Sequence, residues 1–252
     1  MLKVLGIIPA RFASTRFPGK PLVSIYGKSM IQRVYEQALQ SKILHKVIVA
    51  TDDDKIFTEV ENFGGNVEMT SSKHKNGTER CAEVLSKTNE KFDVIINIQG
   101  DEPFFEPRIL EQLSQCFFNE KTEIATLIKR IESITDLDNQ TVVKAVITEE
   151  NQALYFSRFP IPFHRNTSLE NRLKKHKYYK HIGIYAYRPE ILQKIVLLNE
   201  SKLEKAESLE QLRWLENGFN IGVSETEHDS NSVDTPEDLD ALMEKFKGDY
   251  FD

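Results

Sequence analysis

The sequence predicts an α/β protein, with a mostly parallel central sheet flanked by helices and a smaller mixed-sheet insertion in its second half. Three observations carry this expectation. Short apolar runs, KVLGIIP at 3–9, KVIVA at 46–50 and DVIINI at 93–98, alternate with longer stretches at helical spacing. Each run is apolar on both faces, as a strand covered by helices on either side must be. In the second half this rhythm breaks, and Tyr179–Tyr187 instead alternates, with apolar residues at Ile182, Ile184 and Ala186. The first half therefore reads as Rossmann-like. No linker, repeat or low-complexity block interrupts residues 1–252, which read as a single domain.

The elements follow in order. Lys3–Pro9 is a strand stopped by its proline. Ser29–Ser41 is a helix, with stripes Met30, Val34, Ala38 and Ile31, Tyr35, Leu39. Lys46–Ala50 is a strand, Lys55–Phe63 a helix ended by Gly64-Gly65, and Asn66–Thr70 a further strand. Thr78–Lys87 is a helix and Asp93–Ile98 a very apolar strand. Beyond them, Thr141–Thr148 and Tyr179–Tyr187 read as strands. Between these two, Pro160–Lys177 is too long and too charged for an ordinary connection, so it is either a functional flap or an interface arm. Helices are expected at Glu190–Leu198, Ser208–Asn217 and Pro236–Phe246.

Composition excludes several classes. With 33 Lys plus Arg against 39 Asp plus Glu, the net charge is −6, which disfavours nucleic acid as the main partner. No apolar run approaches the roughly 20 residues of a membrane helix. The N-terminus lacks the apolar region and cleavage site of a signal peptide, so a cytoplasmic setting is expected, with no membrane partner. Cys81 and Cys116 lie far apart with no CxxC, which fits a reducing compartment, two small buried hydrophobes and no structural zinc.

Chemistry gathers at three places. After the first strand, IPARFASTRFPGK sets Arg11, Arg16 and Lys20 among small residues and a Pro18-Gly19 turn. Ligands of parallel sheets bind beyond the carboxyl ends of the strands, so this loop reads as phosphate-binding; the alternative is a solvated basic loop. It is neither of the two common phosphate motifs: GxGxxG is absent, and Gly27-Lys28-Ser29 has Leu22 where a P-loop needs glycine. The second place is Gln99-Gly100-Asp101-Glu102-Pro103, carboxylates at a strand's end that suit a hard divalent cation or a polar turn. The third is Val233-Asp234-Thr235-Pro236-Glu237-Asp238. Thr235 caps a helix there and leaves Asp234 outside it, free to face a metal.

Seven segments then occur together and in order: IIPARFASTRFPGKPL (7–22), HKNGTER (74–80), NIQGDEP (97–103), ALYFSR (153–158), HIGIYAYR (181–188), LEQLRWLENG (209–218) and VDTPEDL (233–239). As a set they resemble the 3-deoxy-manno-octulosonate (Kdo) cytidylyltransferases over essentially the whole chain. The resemblance implies a nucleotide-diphospho-sugar transferase fold, with a nucleotide-binding half at about 1–105 and sugar-binding and dimerisation elements at about 106–252. It implies transfer of a cytidylyl group from CTP to the anomeric hydroxyl of Kdo, releasing pyrophosphate, by a homodimer serving lipopolysaccharide synthesis. Ala10 and Arg11 would contact cytosine and phosphate, and Arg16 and Lys20 would run along the triphosphate. Gly77, Thr78, Glu79 and Arg80 match a second nucleotide-binding element. Asp101 and Asp234 correspond to Mg²⁺ ligands. Gln99, Arg158, His181, Tyr185 and Glu210 fall in segments that line the sugar site.

Two departures stand out, Asn76 for an expected serine and Phe163-His164 for a Trp-Asp pair. Glu210 has a plainer alternative, a surface helix carboxylate paired with Arg213 or Lys205. Two rival functions remain, a synthetase for another acidic sugar such as a sialic acid, and a non-catalytic nucleotide-sugar-binding regulator. The first would carry paired glycines and Lys in the first loop. The second would lack Lys20, Asp101 or Asp234, and all three are present.

Overall fold

Val4–Ala10 forms the first strand, β1, because six of its seven residues are apolar and it can be buried on both faces. The computed structural model describes residues 2–13 and 17–248, without the side chain of Leu169. Two compact units emerge, one running to Glu111 and resumed from Ser230, the other Gln112–Asp229.

In the first unit the order after β1 is β2 (Ser24–Ile25), β3 (Lys28–Ser29), α1 (Met30–Gln40), β4 (Leu44–Thr51), α2 (Asp54–Asn62), β5 (Val67–Met69), α3 (Gly77–Lys87), β6 (Val94–Asn97) and α4 (Arg108–Gln115). The chain passes into the second unit within α4. The strands line up as β6-β1-β4-β5, every pair parallel, with Ile7 facing both Ile48 and Asn97. Leu5, Ile7, Ile8, Val49, Ile95 and Ile96 are completely buried, each worth about 1.5–3 kcal/mol of removed apolar surface. The expected parallel α/β class is observed. Its carboxyl edge gathers the ends of β1, β4 and β6, the place where ligands of such sheets bind.

Side chains at the helix starts fix where those ends point. Ser29 caps α1 by accepting from Gln32 N–H, Asp53 caps α2, and Asn76 caps α3 by accepting from Glu79 N–H. The last keeps the capping role open to the serine expected there. Tyr26 and Gly27 both have positive φ (48° and 77°), a two-residue turn joining β2 to β3, so Gly27-Lys28-Ser29 is a hairpin and cap and not a phosphate loop. Leu39 departs from expectation. It is 57% exposed, because it lies about 110° round the helix from the centre of the arc formed by Met30, Ile31, Val34, Tyr35 and Ala38.

The second unit holds β7 (Ile124–Arg130), α5 (Ile134–Asp138), β8 (Lys144–Ile147), β9 (Ala153–Ser157), α6 (Leu169–Lys175), β10 (Tyr179–Tyr187), α7 (Pro189–Ile195), α8 (Lys202–Glu207), α9 (Gln211–Glu216) and β11 (Ile221–Glu225). β10 runs antiparallel to β7 and β8, β8 antiparallel to β9, and β11 parallel to β7, so the sheet is mixed as expected. The Pro160–Lys177 stretch contains α6, and Phe163 lies under the Arg172 guanidinium, 5.0 Å from the ring centre. The helix expected at Ser208–Asn217 begins later. α8 ends at Glu207, Ser208 takes the left-handed conformation (φ 53°), and α9 starts at Gln211. Cys81 is buried and Cys116 half-buried, both as free thiols. Among the described residues no helix is long and apolar enough to cross a membrane.

The strand expected at Thr141–Thr148 starts only at Lys144, because Asn139 folds the preceding residues into a turn by accepting from Thr141 N–H. Lys144 itself is fully buried, and its ammonium donates to the carbonyls of Asn139, Val142 and Arg158 at 2.6–2.8 Å. Burial pulls its pKa down, yet the lysine is the donor that all three carbonyls share. Lys144→Met, which keeps the volume and removes the donors, is expected to lower the unfolding free energy by about 3 kcal/mol. Urea denaturation checks this as a lower midpoint at unchanged slope.

After leaving the second unit, the chain ends its return with the helix Pro236–Lys245, opened by a reciprocal capping box between Thr235 and Asp238. Its Leu239 and Leu242 pack with Ile25, Met30, Phe104 and Val233. This cluster ties the segment carrying Asp234 to the remainder of the first unit.

Candidate functional site

In the first unit, the loop after β1 closes on itself through Gly19 N–H donating to the Phe12 carbonyl at 3.0 Å, with Gly19 at φ 71°. That closure starts a 3-10 turn at Lys20 and aims its side chain back toward the strand ends. The Lys20 ammonium donates to Asp101 Oδ2 and to the Val233 carbonyl, both at 2.7 Å, and lies 3.7 Å from Asp234 Oδ1. In sequence Lys20 lies 81 positions from Asp101 and 213 from Val233. The fold brings them to one point.

Two glycines make the approach possible. A Cβ on Gly100 would lie 2.7 Å from the Pro9 carbonyl oxygen, so only glycine lets the turn after β6 pack against the end of β1. A Cβ on Gly77 would lie 3.2 Å from the Pro9 ring, where α3 begins. Between these walls is a cavity of about 360 Å³, lined by Ala10, Arg11, Lys20, His74–Gly77, Arg80, Asn97, Gln99–Asp101 and Asp234. It is within the range of small-ligand sites, and four cations, Arg11, Lys20, Lys75 and Arg80, line it in an acidic protein.

Arg80 is buried and held by Asp52 (3.2 Å) and by the Thr70 hydroxyl. Those partners directly follow the ends of β4 and β5, and nothing in the pattern of residues announced them. His74 is fixed by Glu83 and, at 3.6 Å, by Glu79. Burial opposes charge on Glu83, but bonds from Ser71 N–H, Lys87 and His74 outweigh it and hold the carboxyl down to about 2. Beside Asp101, Glu102 turns inward. It is 8% exposed, accepts from the Ser230 hydroxyl at 2.5 Å, and is pushed up to about 7 by burial, to which the Asp101 charge adds. Arg16 lies outside the described residues.

The second unit places the other expected residues. His181 sits against the rings of Phe156 and Tyr185, and burial pushes it down to about 3, so it is neutral at physiological pH. β10 bulges between Ile182 and Tyr185, and the Thr126 hydroxyl fills the bulge by donating to the Ile184 carbonyl at 2.7 Å. The same Oγ1 lies 3.0 Å from His181 Nε2, which ties the ring to the bulge. Burial and the charge of Glu210 push the Tyr185 phenol well up.

Near Tyr185, Trp214 meets its ring edge-on. The Trp214 indole N–H and the Gln211 side-chain amide are buried without a hydrogen-bond partner among the described residues. Neither residue stood out in the sequence, since each reads as one turn of a helix core. Unmet donors of this kind cost about 1–3 kcal/mol each and call for an acceptor-bearing ligand or water.

Glu210 precedes α9 in helical conformation and is half-buried. Its charge acts on both Tyr185 and Arg213. Arg213 pairs with Glu204 through two nitrogens at 2.8 and 2.5 Å, and Lys205 pairs with Glu200. Arg158 spends three guanidinium nitrogens on the carbonyls of Glu207, Ser208 and Gln140. It thereby braces the left-handed Ser208 link, two residues before Glu210.

The sequence pattern that defines the cytidylyltransferases matches residues 5–226. The 3-deoxy-manno-octulosonate cytidylyltransferase of Parabacteroides distasonis is 51% identical over 247 residues, covering 96% of this chain and 98% of its own. That of Bacteroides thetaiotaomicron is 52% identical over 249 residues, covering 98% and 99%. A solved CMP:2-keto-3-deoxy-manno-octonic acid synthetase complexed with CTP is similar at TM-score 0.91 and 43% identity, covering 98% of this chain and 99% of that one. A cytidylyltransferase from Leptospira borgpetersenii, at TM-score 0.65 and 18% identity, shares the fold alone.

Proposed function

The chain belongs to the cytidylyltransferase family, and from that premise we propose that it transfers the cytidylyl group of CTP to the anomeric hydroxyl of 3-deoxy-manno-octulosonate, releasing pyrophosphate and activating the sugar for lipopolysaccharide synthesis. The observation that carries the catalytic reading is the convergence of Lys20 on Asp101 and Asp234 at the mouth of the cationic cavity. A half-buried ammonium between two carboxylates supports a catalytic reading over one of binding alone.

The chemistry sets the tasks. A sugar hydroxyl beside its own carboxylate must approach a polyanionic triphosphate, and like charges repel strongly where water is excluded. Ala10, Arg11, Gly77, Thr78 and Arg80 would hold the nucleotide against the sheet edge, the main-chain amides close and the guanidinium of Arg80 fixed beforehand by Asp52. Lys20 would move its charge along the triphosphate, with Arg16, and stabilise the negative charge that develops on phosphorus and pyrophosphate.

Asp101 and Asp234 fit a hard cation: both are carboxylates, and both already present oxygens to one positive group. Mg²⁺ held there would neutralise phosphate charge and lower the pKa of the attacking hydroxyl. The chain's own contribution is to keep the two carboxylates in place. For the sugar, the second unit offers the neutral His181 imidazole, a Tyr185 hydroxyl that stays protonated and the Glu210 carboxylate, while Gln99 lines the cavity of the first unit. Arg158 would contribute by holding the chain before Glu210. A homodimer in the cytoplasm belongs to this reading too. Exposed Leu154, Phe159 and Phe163 offer the apolar surface a second copy would cover.

Incubation with CTP, Mg²⁺ and either Kdo or a sialic acid, followed by pyrophosphate release, tests the reading. Release with Kdo is expected, and release with sialic acid alone would overturn it. Glu210→Gln should raise the Michaelis constant for Kdo about tenfold or more while leaving that for CTP unchanged, since a hydrogen bond to a charged group is worth roughly 1.5–3 kcal/mol. Varying each substrate separately decides it. A shift confined to CTP would move Glu210 out of the sugar site.

A further inference from the structure

We infer that Glu102 is a positioning residue for the Asp101–Asp234 pair: its buried hydrogen bond with Ser230 clasps the segment carrying Asp234 to the turn carrying Asp101. This rests on the proposed role of those two carboxylates in the reaction. The two segments are 128 residues apart, and neither has regular secondary structure of its own. The turn Gln99–Pro103 is closed by a long bond of 3.5 Å from Glu102 N–H to the Gln99 carbonyl. Residues 230–235 form no helix or strand before the capping box at Thr235. Their relative position therefore depends on the bonds between them.

Among the described residues three such links stand out. Lys20 bridges Asp101, Val233 and Asp234, but through the same carboxylate oxygens and the same ammonium that the chemistry uses. It cannot hold the pair in place while it serves the triphosphate. The Val233 N–H bond to the Asp101 carbonyl (2.9 Å) is one backbone contact, about which both carboxylates can still rotate. The Glu102–Ser230 bond remains. It is short, 2.5 Å, is shielded from water by the burial of Glu102, and involves no atom assigned to substrate. Beyond it, Phe104 anchors the same turn into the cluster with Val233, so Glu102 lies between a fixed core and a working carboxylate. The hydrogen bond needs an acceptor on residue 102, not a charge, so glutamine at this position preserves it.

Mn²⁺ binding to the full chain, with CTP and no sugar, is read by electron paramagnetic resonance alongside steady-state kinetics and thermal melting. Glu102→Ala and Ser230→Ala are expected each to weaken Mn²⁺ binding about tenfold, as loss of a partner that orients metal ligands typically does. Both should lower kcat more than they raise the KM for CTP. The double variant is expected to be no worse than either single one, and Glu102→Gln to stay within about twofold of wild type. Ser230→Ala removes one hydroxyl and keeps the measurement available if Glu102→Ala does not fold. Asp101→Asn separates the two ideas. If it binds Mn²⁺ like wild type, the metal reading itself fails. If it loses Mn²⁺ while folded Ser230→Ala binds normally, the positioning inference alone is overturned, as it is if Glu102→Gln is as weak as Glu102→Ala.

Discussion

Asp101→Asn is expected to lower turnover by about two to four orders of magnitude at saturating CTP and Kdo, without unfolding the protein. The size follows from what the carboxylate touches. Asp101 accepts from the Lys20 ammonium at 2.7 Å and is the first of the two carboxylates proposed for Mg²⁺. Asparagine keeps the shape and one oxygen but halves the charge that draws cations to this point. The main-chain bond from Val233 N–H to the residue 101 carbonyl survives the change, and the side chain belongs to no apolar cluster, so the melting temperature should barely move. Steady-state turnover across a Mg²⁺ series checks it. Near-normal turnover at saturating Mg²⁺ would remove Asp101 from the mechanism.

What could be read from the sequence is what local pattern encodes. β1, β4 and β6 announced themselves because each is a short apolar run that can be buried on both faces, and α1 because its apolar residues recur at helical spacing. β7, β9 and β11 went unread, as did α4, α5 and α8. IGVSE carries a glycine and a serine, and ALYFS exposes its Leu154, so neither shows a clean period. The break at Ser208 carried no glycine to signal a left-handed residue, and one helix was expected where two short ones stand. A lysine buried as completely as Lys144 contradicts every composition rule until its three carbonyls are seen.

The candidate site divides along the same line. Asp101 and Asp234 were legible because each stands at the edge of an element whose end the sequence marks, a strand stopped by Pro103 and a helix capped by Thr235. Their partners were not. Asp52 and Thr70 for Arg80, Ser230 for Glu102 and Thr126 for His181 are contacts across 10 to 128 positions, and a hydrogen bond between distant residues leaves no period behind. Arg158 shows the opposite case. Its motif was legible, while the work its guanidinium does, bracing the Ser208 link, is set by the fold.

Lys20→Ala is expected to reduce turnover by about two to three orders of magnitude, whereas Lys28→Ala, eight residues on, should change it less than twofold. Both lysines form ion pairs, so charge alone does not separate them. Lys28 holds Glu36 through both carboxylate oxygens at 2.6–2.8 Å with its side chain 41% exposed, a surface pair worth at most about 1 kcal/mol. Lys20 is 14% exposed, at the strand ends, with Asp101 on one side and Asp234 on the other. Removing it takes away the charge proposed for the leaving pyrophosphate and leaves two carboxylates facing each other without a cation between them. Because that charge matters most where negative charge develops, the loss should fall on kcat more than on the KM for CTP. Parallel kinetics on the two variants decide the matter, and equal losses would show that the ammonium between Asp101 and Asp234 acts only as a structural pair.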